Sequence, residues 1–246
     1  MKKRFLEICV DSLQSALIAE EAGADRIELC SSLDVGGLTP DPALFMLARQ
    51  KLNIPIHVLI RPRSGNFVYD SLDEELMVES IRFFEKHGAN GVVIGALTDQ
   101  NAIDVPLMEE LMKATASLSV TFHRAFDQLA NPTEAVDILY KLGVERILTS
   151  GQKATAEDGL PLLQQLLEVV EKKLIILPGG GVNSENAAKL LAIGLSELHA
   201  SVRENVNYST SKPNVSLSLG GLPDEYRYAD YQEIVKLHNI IHPHET

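Results

Sequence analysis

Two triplets of one type stand in the first part of the chain, Glu7-Ile8-Cys9 and Glu28-Leu29-Cys30. In an extended strand successive side chains point to opposite faces, so each triplet puts its carboxylate and its thiol on the same side. On neighbouring strands, about 4.8 Å apart, the two thiols would lie close enough to chelate one soft ion such as Cu(I), or zinc with a histidine added. Metal–sulfur bonds of about 2.3 Å require the sulfurs to be within roughly 6 Å of each other. Two buried cysteines also serve as small apolar fillers, and without a CxxC spacing both readings stay open.

A second set carries acid–base and anion-binding chemistry. Glu7, Glu28, Arg61, His123 and His199 all fall late in short apolar runs, and Arg63, Arg124 and Asp127 follow directly. Carboxylates, imidazoles and guanidinium groups gathered in a low-dielectric cup shift one another's pKa values and can serve as acid, base and anion clamp. The competing reading is a salt-bridge network that satisfies itself. Glycines add to the second set. Pro178-Gly179-Gly180-Gly181-Val182, the Ser150-Gly151 pair and Ser201 can offer backbone N–H groups to a phosphate, or can simply make tight turns.

These residues need a scaffold that makes them converge. The chain has 246 residues, close to the roughly 250 of a complete (β/α)₈ barrel. Eight short apolar runs read as strands near Phe5–Cys9, Arg26–Cys30, Ile56–Arg61, Val92–Gly95, Val120–His123, Arg146–Thr149, Leu174–Leu177 and Glu197–Ala200. Amphipathic segments such as Leu72–His87 and Asn186–Ile193 separate them. This alternation predicts parallel strands joined by helical crossovers, and eight units predict a single closed TIM barrel over the whole chain. An open doubly wound sheet is the competitor. A repeat decides for the barrel: Gly23, Gly88, Gly143 and Gly194 each open a similar entry into strands two, four, six and eight.

Alternation then sets the facing. Leu6, Ile8, Ile27, Leu29, Val58 and Ile60 should face the helices. Glu7, Cys9, Arg26, Glu28, Cys30, His57, Leu59, Arg61, Thr121, His123, Glu197, His199 and Ser201 should face the interior. Arg26, Arg146 and Glu197 come early in their strands and should form ion pairs on the barrel floor. The later set should line one pocket near the C-terminal rim, where barrel active sites form, with Glu7, Glu28, Arg61 and His123 around it and Arg124 and Asp127 at its edge.

A net charge of −12 lacks the basic footprint of a nucleic-acid binder, yet a few arginines in one cleft still admit a small anion. No apolar run reaches the ~20 residues of a membrane span, and Glu7 and Asp11 interrupt any signal-like segment after Lys2-Lys3-Arg4. Two cysteines make no disulfide framework, which fits a reducing, cytoplasmic setting. The polar stretch Arg203–Tyr228 is expected as a long loop before a last short helix at Ala229–His238. His238, His242 and His244 read as a solvated tail.

Several blocks resemble the CutC family of copper-homeostasis proteins. They are Glu28-Leu29-Cys30 with Gly36-Gly37-Leu38-Thr39-Pro40, Ile60-Arg61-Pro62-Arg63-Ser64-Gly65-Asn66-Phe67-Val68-Tyr69, Thr121-Phe122-His123-Arg124-Ala125-Phe126-Asp127, and Ile147-Leu148-Thr149-Ser150-Gly151. The resemblance runs from about Phe5 to about Ser201. It implies a cytoplasmic TIM barrel, a homodimer, and a copper-binding role with Cys9 and Cys30 as ligands. Two functions follow as expectations. The first is Cu(I) binding at Cys9 and Cys30, with Glu7 and Glu28 compensating charge. The second is an enzyme for a small anionic substrate, phosphorylated ones included. In it Arg61 and Arg63 clamp the anion, Glu28 and His123 exchange protons, and Asp127 orients His123 or Arg124. Gly180, Gly181 and Ser201 would cradle a phosphate.

Overall fold

The structure, a computed structural model, describes residues 4–171, 173–206 and 226–243. Eight parallel strands are β1 (Phe5–Val10), β2 (Arg26–Leu29), β3 (Ile56–Leu59), β4 (Gly91–Ile94), β5 (Ser119–Phe122), β6 (Arg146–Thr149), β7 (Ile175–Pro178) and β8 (Glu197–Ala200). They pair in the order β7-β6-β5-β4-β3-β2-β1-β8, and β7 packs beside β8, so the ring is nearly closed. This is a (β/α)₈ barrel. Among the described residues no ladder joins β7 to β8, and that seam matters below.

The crossovers are α1 (Leu13–Glu21), α2 (Pro42–Lys51), α3 (Ser71–Lys86), α4 (Val105–Ala114), α5 (Pro132–Leu142), α6 (Leu160–Val170) and α7 (Ala187–Ala192), and α8 (Tyr231–Ile241) follows β8. Ser12, Asp41, Asp70, Asp104 and Asp230 cap α1, α2, α3, α4 and α8 by accepting first-turn N–H groups. Replacing such a cap by Ala typically costs about 1 kcal/mol. The repeated glycines end their helices as expected. Gly143 caps α5 at φ 88°, a left-handed conformation open to glycine at little cost. Gly23, Gly88 and Gly194 have the same sign of φ.

The period-2 alternation sorts the strands into two apolar layers. Leu6, Ile8, Val10, Ile27, Leu29, Val58 and Ile60 pack outward with the helices in the large core. Inside the barrel a separate small cluster holds Cys9, Cys30, Leu59 and Val93. Leu148 also lines the interior, and most of the other inward positions are polar.

The C-terminal part departs from expectation in two places. The stretch read as a loop begins and ends as paired strands, β9 (Arg203–Val206) and β10 (Tyr226–Ala229), which run antiparallel. The tail histidines are not solvated: His238 Nδ1 lies 2.8 Å from the Gly23 carbonyl and His242 Nε2 2.9 Å from Asp25. Ile234, Leu237 and Ile241 bury one face of α8, and the histidines on that helix are drawn in with it. His244 lies outside the described residues. Among the described residues no helix is long and apolar enough to cross a membrane.

Candidate functional site

The site is built by strand stagger. In the parallel pairing of β1 with β2, Glu7 faces Arg26 and Cys9 faces Glu28. On the other side Glu7 faces His199 of β8. The triplets are therefore offset by two residues, and Cys30 stands one inward step above Cys9. Closing a sheet into a barrel requires this shear.

The lower layer is an ion-pair network, with His57 Nδ1 beside it left without a hydrogen-bond partner. Arg26 donates to Glu7 and, at 2.6 Å, to Glu197, while Arg146 reaches the same Glu197 oxygen at 3.0 Å. Burial alone would raise the Glu7 pKa, but Arg26, with His199 and His57, holds it well below the ordinary carboxylate range. His57 is pushed down to about 3, by burial and then by Arg26. Glu7, expected at the cavity, does not line it. It is fully buried, with Oε2 on Arg26 and Oε1 on His199 Nδ1 at 2.7 Å. Its place is to orient and charge His199. Burial lowers the His199 pKa, but hydrogen bonds with Cys9 and Glu7 and the nearby carboxylate charges raise it well above the usual histidine value.

Above that layer opens one cavity of about 440 Å³. Cys9, Glu28, Arg61, His123, Arg124, Asp127, Gly180, His199 and Ser201 line it, joined by apolar side chains of which Phe67 is the largest. Five strands and five loops contribute, as the barrel geometry requires. The Cys9 and Cys30 sulfurs are 3.8 Å apart, and Cys9 Sγ donates to Glu28 Oε1 at 3.2 Å. Donor atoms of Cys9, Glu28 and His199 all lie within 4.8 Å of one another. The hydrogen bond with Cys30 and burial push the Cys9 thiol well above its ordinary pKa. At Cys30 the hydrogen bond with Cys9 acts downward, and burial with the Glu28 charge outweighs it. Burial also raises the Glu28 carboxyl.

His123 is held by its loop. Its Nδ1 accepts from the Ala125 N–H at 3.2 Å, and Phe67 packs against the ring at 4.8 Å. Burial and then Arg61 push it down to about 3, so the ring is neutral and its proton sits on Nε2. That Nε2, Glu28 Oε2 and Arg61 Nε are buried polar atoms with no hydrogen-bond partner.

Other expected groups are committed elsewhere. Arg61 lines the cavity, but its terminal nitrogens bind the carbonyls of Val35, Gly37 and Gly65, tying the β2 and β3 loops together. Arg63 does not reach the cavity. It pairs with Asp73 at 2.8 Å, bonds the Val68 carbonyl and lies over the Tyr69 ring. Asp127 does not orient His123. It holds Arg124 at 2.8 Å and accepts from Thr149, Ser150 and Gln152. The Ser150 and Gly151 amides are spent on Asp127 and on Thr149 Oγ1, so neither is offered to an anion. Gly181 does not line the cavity, whereas Gly180 and Ser201 do. Phe67 and Thr149 escaped the sequence reading as site residues, although both stand inside its motif blocks. Only their packing on His123 and Asp127 brings them to notice.

The sequence profile of the CutC family matches residues 4–204. The chain belongs to the CutC family. A Bacteroides thetaiotaomicron protein described as a family protein CutC is 45% identical over 230 residues, covering 92% of each chain. A human relative, "Copper homeostasis protein cutC homolog", is 43% identical over 216 residues, 87% of this chain and 79% of that one. Among solved structures, the putative copper homeostasis protein CutC from Streptococcus agalactiae superposes with a TM-score of 0.77 at 33% identity, covering 80% of this chain and 97% of its own. This CutC-family barrel thus combines a thiol pair with an incompletely satisfied polar cavity.

Proposed function

We propose that the chain handles copper by binding one Cu(I) ion between Cys9 and Cys30, in the cytoplasm, where reducing conditions keep such a pair as thiols. The observation that carries this is the 3.8 Å between the two sulfurs. With metal–sulfur bonds of about 2.3 Å, that spacing accepts a single ion between them with almost no rearrangement. Soft thiolates select Cu(I) over harder ions. Because both thiols are held protonated, binding releases protons, and Glu28, already the acceptor of the Cys9 S–H, is placed to receive one. Affinity therefore weakens as pH falls.

The test is anaerobic competition for Cu(I) against a chromophoric chelator. One ion per chain is expected for the wild type, with binding abolished in the Cys9→Ser/Cys30→Ser double variant. Equal binding by the double variant would overturn the site. Cys9→Ser should weaken binding more than Cys30→Ser, because Cys9 also belongs to the group formed with Glu28 and His199.

A further inference from the structure

A single copper ion leaves most of the cavity unexplained. About 440 Å³ falls in the range of small-molecule sites, and of the two thiols Cys9 stands on its wall. At the unladdered seam between β7 and β8, Gly180 and Ser201 reach the cavity wall, Gly180 beside Arg124 and Ser201 following β8, the strand paired with the one that carries Cys9. Among the described residues the amides of Gly180 and Ser201 and the Ser201 hydroxyl have no hydrogen-bond partner. Arg124 spends Nε on Asp127 and Nη2 on Ser150, which fixes its guanidinium and leaves Nη1 uncommitted. Gly180 has φ +100°, and a Cβ there would stand 3.4 Å from Arg124 Cζ and 3.5 Å from Nη1. It is the left-handed φ that calls for glycine here, and it sets this stretch of backbone against the guanidinium. Glu28 and His123 also line the cavity, and each keeps one buried atom, Oε2 and Nε2, without a partner.

We infer that the cavity binds a small hydroxylated phosphate monoester. Its phosphate sits on Arg124 Nη1, the Gly180 and Ser201 amides and the Ser201 hydroxyl, and its body is hydrogen-bonded by His123 Nε2 and Glu28 Oε2. A phosphate presents three strong acceptor oxygens, which matches two backbone N–H donors, a hydroxyl and a guanidinium fixed by Asp127. The two unpartnered buried atoms account for the body, because leaving such atoms unsatisfied is costly unless a ligand or water completes them. The site shares Glu28 with the copper reading but needs neither cysteine.

The probe is glycerol 3-phosphate, titrated calorimetrically into the metal-free protein beside glycerol, glycerate and inorganic phosphate. Saturable binding of glycerol 3-phosphate, tighter than that of the other three, is expected. Arg124→Ala should weaken it about tenfold or more, and Ser201→Ala, which removes only an exposed hydroxyl, severalfold. His123→Gln should weaken glycerol 3-phosphate and leave inorganic phosphate unchanged. Absence of saturable binding, a preference for glycerate, or wild-type affinity in both Arg124→Ala and Ser201→Ala would overturn the assignment. If Arg124→Ala unfolds, Ser201→Ala decides alone. The same variants should keep Cu(I), and the double cysteine variant should keep glycerol 3-phosphate, so the two assignments fail separately.

Discussion

The floor and the rim of this barrel are both lined by inward charge, yet they behave in opposite ways. On the floor Arg26, Arg146, Glu7 and Glu197 consume one another's polar atoms. At the rim the Glu28, His123 and Arg61 side chains are as deeply buried, and each keeps an atom without a partner. Burial alone does not separate the two, and what does is whether the charged groups are spent on one another, although His57 Nδ1 beside the floor network also lacks a hydrogen-bond partner. A closed network spends its charges on holding strands together, and an open one holds them for something that arrives.

The largest test of this contrast is Arg26→Met. It leaves buried Glu7 without its guanidinium and Glu197 with Arg146 alone, so urea unfolding should show a loss of about 3–5 kcal/mol. A loss below about 1 kcal/mol would mean that the floor is not a stability element.

Next comes pH. His57 on the floor and His123 at the rim are both pushed down to about 3 from an ordinary value of 6.5. Between those values the unfolded chain binds protons that the native chain refuses, so stability should fall as pH drops from 6.5 toward 3, by on the order of a few kcal/mol. His57→Gln and His123→Gln should each flatten the acid slope of unfolding free energy against pH. His199 acts with the opposite sign. Its raised pKa adds stability that is full below about 6.5 and is lost as pH rises through the native value, so His199→Gln should remove an alkaline decline.

At neutral pH His123→Gln should cost only about 1 kcal/mol, since its side chain accepts one backbone hydrogen bond and its Nε2 bonds nothing. A loss as large as that of Arg26→Met would place the rim in the structural class and erase the comparison. Smallest of all, Arg63→Ala should change stability by less than about 1 kcal/mol and leave both ligands bound, because its ion pair with Asp73 is partly exposed.

Much of this barrel is legible in the chain itself. Eight apolar runs with helical crossovers, and a glycine closing alternate helices, specify the fold locally. Strand alternation specifies facing: Leu6, Ile8, Ile27 and Leu29 can only be buried outward if Glu7, Cys9, Arg26 and Glu28 turn inward. Those signals are short-range, arising from side-chain period and helix capping. Height inside the barrel is different, since it depends on the stagger between strands far apart in sequence. The matching triplets suggested level partners, but shear sets Glu7 beside Arg26 and Cys9 beside Glu28, taking one carboxylate into the floor and leaving the other in the cavity. Competition among neighbours was equally invisible. Asp73 captures Arg63, loop carbonyls capture Arg61, and Asp127 takes the Ser150 amide, while the Gly180 and Ser201 amides stay free at the β7–β8 seam. Residue types determined which groups face the interior, and only the three-dimensional arrangement decided which of them remain available, because availability depends on partners that the linear order keeps apart.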